Sequence, residues 1–212
     1  MNFLLLLPGA FFAPVIHEWV KARVSAAMGD AAPKHNGFIT WNPLKFFEPI
    51  GFFMLMYFQV GWGRPVTTSP FYYKDKRKGI ALTYAAPIVA NLLVGMVAIV
   101  LISRLSPVLL FQWALPRYQD GATWTIPAAQ SFLQAIEYFG RLNINLAVFN
   151  LIPIFPMSMN KLIQVFISPE SSMKLNHYEK PLQIILFLLL FFNVLQPMIT
   201  SISQIFINMV AV

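Results

Sequence analysis

Gly79 to Leu105 reads GIALTYAAPIVANLLVGMVAIVLISRL, and no charged residue interrupts it until Arg104. At about 1.5 Å per residue, a helix of this length crosses a hydrocarbon layer of roughly 30 Å. The rest of the chain agrees with that reading. Of 212 residues 58% are hydrophobic, only 11% are charged and 20 are Phe, a balance that excludes a water-soluble globular enzyme. There is no Cys, which removes disulfides, thiolate metal sites, iron-sulfur clusters and cysteine nucleophiles together. The net charge of +7 fits basic loops facing anionic lipid. No recognition motif accompanies it, so no nucleic-acid partner is expected.

Upstream, the apolar part of Asn2 to Met28 is too long for a signal-peptide core and reads as a retained span, bent by Pro8 and Pro14. A polar, turn-rich stretch follows. Within it Gly37-Phe38-Ile39-Thr40-Trp41 is β-branched and aromatic, which predicts a short strand at the membrane surface. Phe46 to Trp62 is apolar but holds Glu48, Pro49 and Gly51, and is expected to be re-entrant or kinked. The run Lys74-Asp75-Lys76-Arg77-Lys78 is the densest positive cluster, so the charge bias of membrane loops places it in the cytoplasm. Gly79 to Leu105 then spans outward, Ser106 to Pro127 forms an external connection with a short apolar helix, and Ala128 to Ile152 returns. Leu182 to Val212 is broken at Gln196-Pro197, which allows one kinked span or two short helices. No repeat or linker divides the chain. The expected fold is a single domain over 1–212: an all-α integral membrane protein, a multi-pass helical bundle with a small membrane-surface β element, in the cell (plasma) membrane.

Ionisable residues inside spans commonly cost about 2.5 to 3.5 kcal/mol each, so each needs a reason. His17-Glu18-Trp19-Val20-Lys21 has the frame of the zinc-protease motif His-Glu-x-x-His, in which histidines at i and i+4 share a helical face and Glu is the general base. Here the second His is Lys21. Other segments follow in order: Gly29-Asp30, Asn42-Pro43-Leu44, Gly61-Trp62-Gly63-Arg64-Pro65-Val66, Ala86-Pro87-Ile88-Val89-Ala90-Asn91, and Asn150-Leu151-Ile152-Pro153-Ile154-Phe155-Pro156-Met157-Ser158-Met159.

Taken in this order, these segments resemble the site-2 protease family of intramembrane zinc metalloproteases, in its compact bacterial form, across nearly the whole chain. The resemblance implies metal ligands at the two histidines of His-Glu-x-x-His and at an aspartate in a later Asn-x-x-Pro-x-x-Pro-x-Asp-Gly segment. Carried over, His17 is the one retained ligand and Glu18 holds the general-base position. Lys21 and Ser158 occupy the other two ligand positions, and Met159 stands where the family has Gly. The family's His-x-Asp-Pro is replaced by Phe46-Phe47-Glu48-Pro49. In that family the asparagines matching Asn91 and Asn150 lie near the active site and help to position substrate. Pro153 to Pro156 lacks the N–H donors to continue a helix, and extended backbone at membrane depth needs protein or a water-filled cavity beside it, so a substrate strand could pair there.

A hydrolytic zinc site needs about three protein ligands and a water, and a lone imidazole falls far short. A protonated Lys21 cannot coordinate and repels a dication, but at i,i+3 it can pair with Glu18. Ser158 offers a hydroxyl and no anion, and Asn160 only a carbonyl oxygen. A neutral Lys21 amine as ligand, or a Ser158–Lys21 dyad, are the catalytic alternatives. The plainest reading of His17 and Glu18 is a polar pair satisfied by Lys21 and backbone. His35 and His177 are read as solvated, Asn91, Asn143, Asn145 and Asn150 as amides joining helices, and the Phe and Met residues as lipid-facing or packing side chains.

The expected function is therefore a proteolytically inactive relative that binds transmembrane segments of other membrane proteins in a regulatory or scaffolding role. Its candidate substrate-binding residues are Asn91, Asn150, Pro153 and Pro156. No cofactor is expected, and beyond the lipid bilayer the partners include a homo- or hetero-oligomer as an open alternative. The rival reading is an active zinc-dependent intramembrane endopeptidase whose metal shell is non-standard or completed by a partner. A transporter or channel finds little support, because ionisable residues within the spans are too few for an ion path.

Overall fold

The structure is a computed structural model that describes residues 3–154 and 157–210. Every regular element among them is helical. Helix α1 (Phe3–Ala27) runs through Pro8 and Pro14 and gives way to a turn at Met28. Gly29, with φ +114°, makes the left-handed turn that follows, a conformation in which a side chain is strained. A single turn, α2 (Ala32–His35), leads to a 3₁₀ turn at Pro43–Phe46, whose first turn is capped by the Asn42 side chain accepting from the Leu44 N–H at 3.1 Å. Helix α3 (Pro49–Phe58) starts with Pro at its first position, where the missing N–H costs nothing, and is capped by Glu48 accepting from Gly51 N–H. It stops at Gln59, which takes a left-handed φ of 57°.

Residues 60–69 run without regular structure back across α1. Asp75 then caps α4 (Lys76–Pro107), its carboxylate accepting from Lys78 N–H at 3.0 Å. Helix α4 passes through a π-helical stretch at Val108–Ala114 into α5 (Leu115–Gln119), so the rod is 44 residues long. The connection expected at Ser106 to Pro127 is thus mostly helix, and the turn itself occupies only residues 120–124. Helix α6 (Thr125–Phe149) returns. Short α7 (Ser158–Ile163) and α8 (Pro169–His177) precede α9 (Glu179–Phe191) and α10 (Leu195–Val210), which meet at an 80° bend.

Helices α1, α4 and α6 pack on one another, with α7 against α4 and α10 against both α6 and α4. Their contact is close because small residues face each other. A Cβ on Gly95 of α4 would meet Ile144 and the Gly140 carbonyl of α6, and one on Gly9 of α1 would meet Leu142 and the Phe139 backbone. The largest apolar core joins Ile99, Ile144, Phe149, Leu190 and Ile199.

The strand expected at Gly37–Trp41 is not found. A strand needs a partner to accept its ladder bonds, and none lies alongside; Phe38 N–H instead donates to Pro33 O, closing α2. The aromatic residues that suggested it serve as anchors: Phe38 is buried with Phe46, Ala22 and Val66, and Trp41 stacks on Trp19 at 4.3 Å.

Among the described residues two helical rods, Phe3–Ala27 and Lys76–Gln119, are long and apolar enough to cross a membrane, or three if the bent pair α9–α10 counts as one span. Helix α6 has the length but also carries Glu137, Arg141 and two asparagines, Asn143 and Asn145, in its second half. Leu4, Leu93, Val97 and Phe111, on α1 and along the α4 rod, are more than half exposed, as lipid-facing side chains are. Such helices and such a surface point to a membrane protein.

Candidate functional site

The packing of α1 on α4 and α6 brings His17, Glu18 and Lys21 against residues that lie up to 141 positions away. All three are nearly buried, at 5%, 7% and 8% exposure, and line a pocket of about 40 Å³ together with Trp62, Pro65, Asn150 and Ser158. That volume admits only about three waters.

A chain of amides fixes the histidine. Asn143 Nδ2 donates to Phe139 O at 2.8 Å, so its Oδ1 faces Asn91, whose Nδ2 donates to it and to Ala13 O, both at 2.9 Å. Asn91 Oδ1 is thereby turned toward His17 Nδ1 at 3.2 Å. A carbonyl oxygen there needs an N–H, which puts the proton on Nδ1 and the Nε2 lone pair toward the Ser158 hydroxyl, 3.3 Å away. Both ring nitrogens are engaged.

Glu18 is held from two sides. Its Oε2 accepts from Val66 N–H at 2.7 Å and from Lys21 Nζ at 3.4 Å. Lys21 also lies over the Tyr84 ring, 5.3 Å from its centre, a cation–π contact. The expected i,i+3 pair is therefore present, and the residue that completes it, Val66, was not among the sequence candidates. Backbone N–H donors leave no mark in side-chain identity, so only the Gly61–Val66 motif hinted at it. A second buried cluster also escaped notice. Asp30 accepts from Ser25 Oγ at 2.8 Å and from Ser69 N–H at 2.7 Å, while Tyr73 OH reaches Ser25 Oγ at 2.9 Å, pinning the exit of α1 to the start of α4.

The remaining candidates fall out unevenly. Asn150 lines the pocket, and its side chain bridges Leu146 O and Ser158 N–H. Asn91 sits fully buried behind His17, so it orients the imidazole and does not line the cavity. Asn145 Nδ2 reaches Gln59 O at 3.3 Å, an amide joining elements as expected. Pro153 is exposed in a turn after α6 and does not line the pocket; residues 151–154 curl through Ile154 N–H to Ile152 O at 2.8 Å and do not run extended. Pro156 lies outside the described residues.

The donor set does not fit a catalytic zinc ion. Among the described residues no group of three His, Cys, Asp or Glu converges. His17 faces a hydroxyl, the carboxylate of Glu18 is committed to an ammonium and a backbone N–H, and that ammonium lies where a dication would be repelled.

Over 192 residues the chain is 28% identical to "Putative zinc metalloprotease YwhC" of Bacillus subtilis (strain 168), an alignment covering 88% of this chain and 81% of that protein. No family model matches, and no solved structure matches. Similarity over most of both chains supports a metalloprotease-like family for this protein.

Proposed function

We propose that this chain is a site-2-protease-like pseudoprotease, a multi-pass membrane protein that binds transmembrane segments of other membrane proteins without cutting them. The observation that carries the proposal is the pocket itself: an ammonium and a hydroxyl, Lys21 and Ser158, complete the surroundings of His17 and Glu18 that a metalloprotease would fill with metal ligands. Hydrolysis by such an enzyme requires a metal-activated water beside the general base. Here the base is neutralised by Lys21, and the chain's own residues supply no route to that water.

Binding is a separate property from cleavage, and the parts that would serve it are kept. Trp62, Gly63 and Pro65 of the segment after α3 line the pocket together with Leu146 and Asn150 from the end of α6. The cavity is too small for a helix, so a bound span would lie across its mouth and insert one small group. The basic run at Lys74–Lys78 orients the protein with that loop in the cytoplasm of a cell whose plasma membrane holds it.

The test is co-expression with a panel of single-span reporter proteins. Intact reporters should co-purify and be lost with Asn150→Ala or Trp62→Ala variants that still fold. Cleavage within a reporter span, abolished by Glu18→Ala or by a zinc chelator, would establish the endopeptidase reading instead, and absence of any retained reporter would remove the binding role.

A further inference from the structure

Between the first turns of α4 and the segment from Lys161 to Ser172 lie two adjoining cavities that the proposed function does not use. One, of about 430 Å³, is lined by Lys76, Arg77 and Ile80 of α4 and by Gln164 and Ser172. The other, of about 280 Å³, shares Pro70, Ile80 and Gln164 with it and extends to Thr68, Tyr84 and Lys161. Volumes of this order suit a small ligand or a head group.

Their chemistry is one-sided. Among the described residues none that is acidic lines either cavity. Asp75 caps Lys78 N–H, and Glu179 pairs with Lys161 of the smaller cavity at 3.4 Å, so the cations that bear on a ligand are those of the larger one. Lys76 and Arg77 make no ion pair among the described residues and are solvent-exposed. Beside the cationic wall the chain carries exposed aromatic side chains: Phe71 is 83% exposed, Phe166 82% and Tyr72 64%, each next in sequence, or nearly so, to a cavity-lining residue. Large aromatic groups left outside the fold, next in sequence to the lining of a basic cavity, are what the interfacial layer of a bilayer accommodates.

We propose that these joined cavities form a binding site for a phosphate-ester anion, with the phosphate seated against Lys76 and Arg77 and, in the lipid form of that anion, the acyl chains leaving past Phe71 and Phe166. Arg contributes a planar fork matched to phosphate oxygens and Lys a point charge, a combination suited to a phosphodiester. Tyr84 of the smaller cavity lies under Lys21 of the His17 pocket, but the phosphate wall at Lys76 and Arg77 uses no residue of that pocket, so the two proposals are tested separately.

The measurement is retention of phosphatidylglycerol by the full chain in nanodiscs of phosphatidylcholine mixed with phosphatidylglycerol, counted by native mass spectrometry. The double variant Lys76→Gln/Arg77→Gln should lower retention roughly ten- to thirtyfold. A charge-matched control, Lys74→Gln/Lys78→Gln, removes the same two charges from the same run but does not line the cavity, and should change it by less than about twofold. Added inorganic phosphate distinguishes the sources: failure to displace the lipid assigns the site to a lipid head group, while loss of lipid with phosphate retained assigns it to a soluble phosphate. Equal loss in both double variants, or no preference for phosphatidylglycerol over phosphatidylcholine, would overturn the proposal.

Discussion

Replacing Lys21 by methionine removes the cation beside Glu18 while keeping most of the side chain's volume. The two charges lie 3.4 Å apart, with side chains 11% and 9% exposed. At an effective dielectric of about 20, their attraction is about 5 kcal/mol before desolvation is subtracted. Removing one member of a buried pair usually costs about 3 to 5 kcal/mol, because the remaining charge stays buried without its counterion. Val66 N–H still serves Glu18 at 2.7 Å, and the pocket has room for a few waters, so the lower end applies: about 3 kcal/mol. For a chain of this size that is a fall in melting temperature of about 6 to 12 °C, measurable by thermal unfolding in a fixed detergent. Adding Glu18→Gln should recover much of the loss, giving a coupling energy of about 2 kcal/mol in the double-mutant cycle. A coupling below about 0.5 kcal/mol would show that Lys21 does not neutralise Glu18, and the electrostatic account of the pocket would fail.

Asn91→Ala strips the partners from His17 Nδ1, Asn143 Oδ1 and Ala13 O at once, and should cost about 2 to 4 kcal/mol in the same unfolding assay; an unchanged midpoint would mean the amide chain does not hold α1 to α4 and α6. Gly61→Val places a side chain against the Gly51 carbonyl and Leu55, where backbone cannot yield, so it should destabilise by about 1 to 3 kcal/mol and raise hydrogen exchange at residues 60–66. Unchanged exchange there would show that α3 and this segment are not in close contact.

The sequence carried the helices well, because long apolar runs between charged turns leave few alternatives. It also carried the convergence of His17, Asn150 and Ser158, but only through the order of motifs: nothing local relates positions 17 and 158, and their meeting depends on how α1, α4 and α6 pack. What it missed has a common physical cause. The strand at Gly37–Trp41 rested on side-chain preference, whereas a strand exists only with a neighbour, and here Phe38 and Trp41 find rings to pack on instead. The connection expected from Ser106 onward begins later, because the π-helical stretch at Val108–Ala114 carries the rod on to Gln119. Val66 and Ser69 act through backbone N–H groups, which every non-proline residue possesses, so their roles appear only once the chain is folded.

The central claim is that an ammonium stands where a catalytic dication would be needed, and the metal content of the purified full-length protein tests it most directly. Grown and purified without chelator, the protein should carry well under about 0.1 zinc per chain, with no change in melting temperature on adding zinc. About one zinc per chain, lost in His17→Ala, would contradict the account.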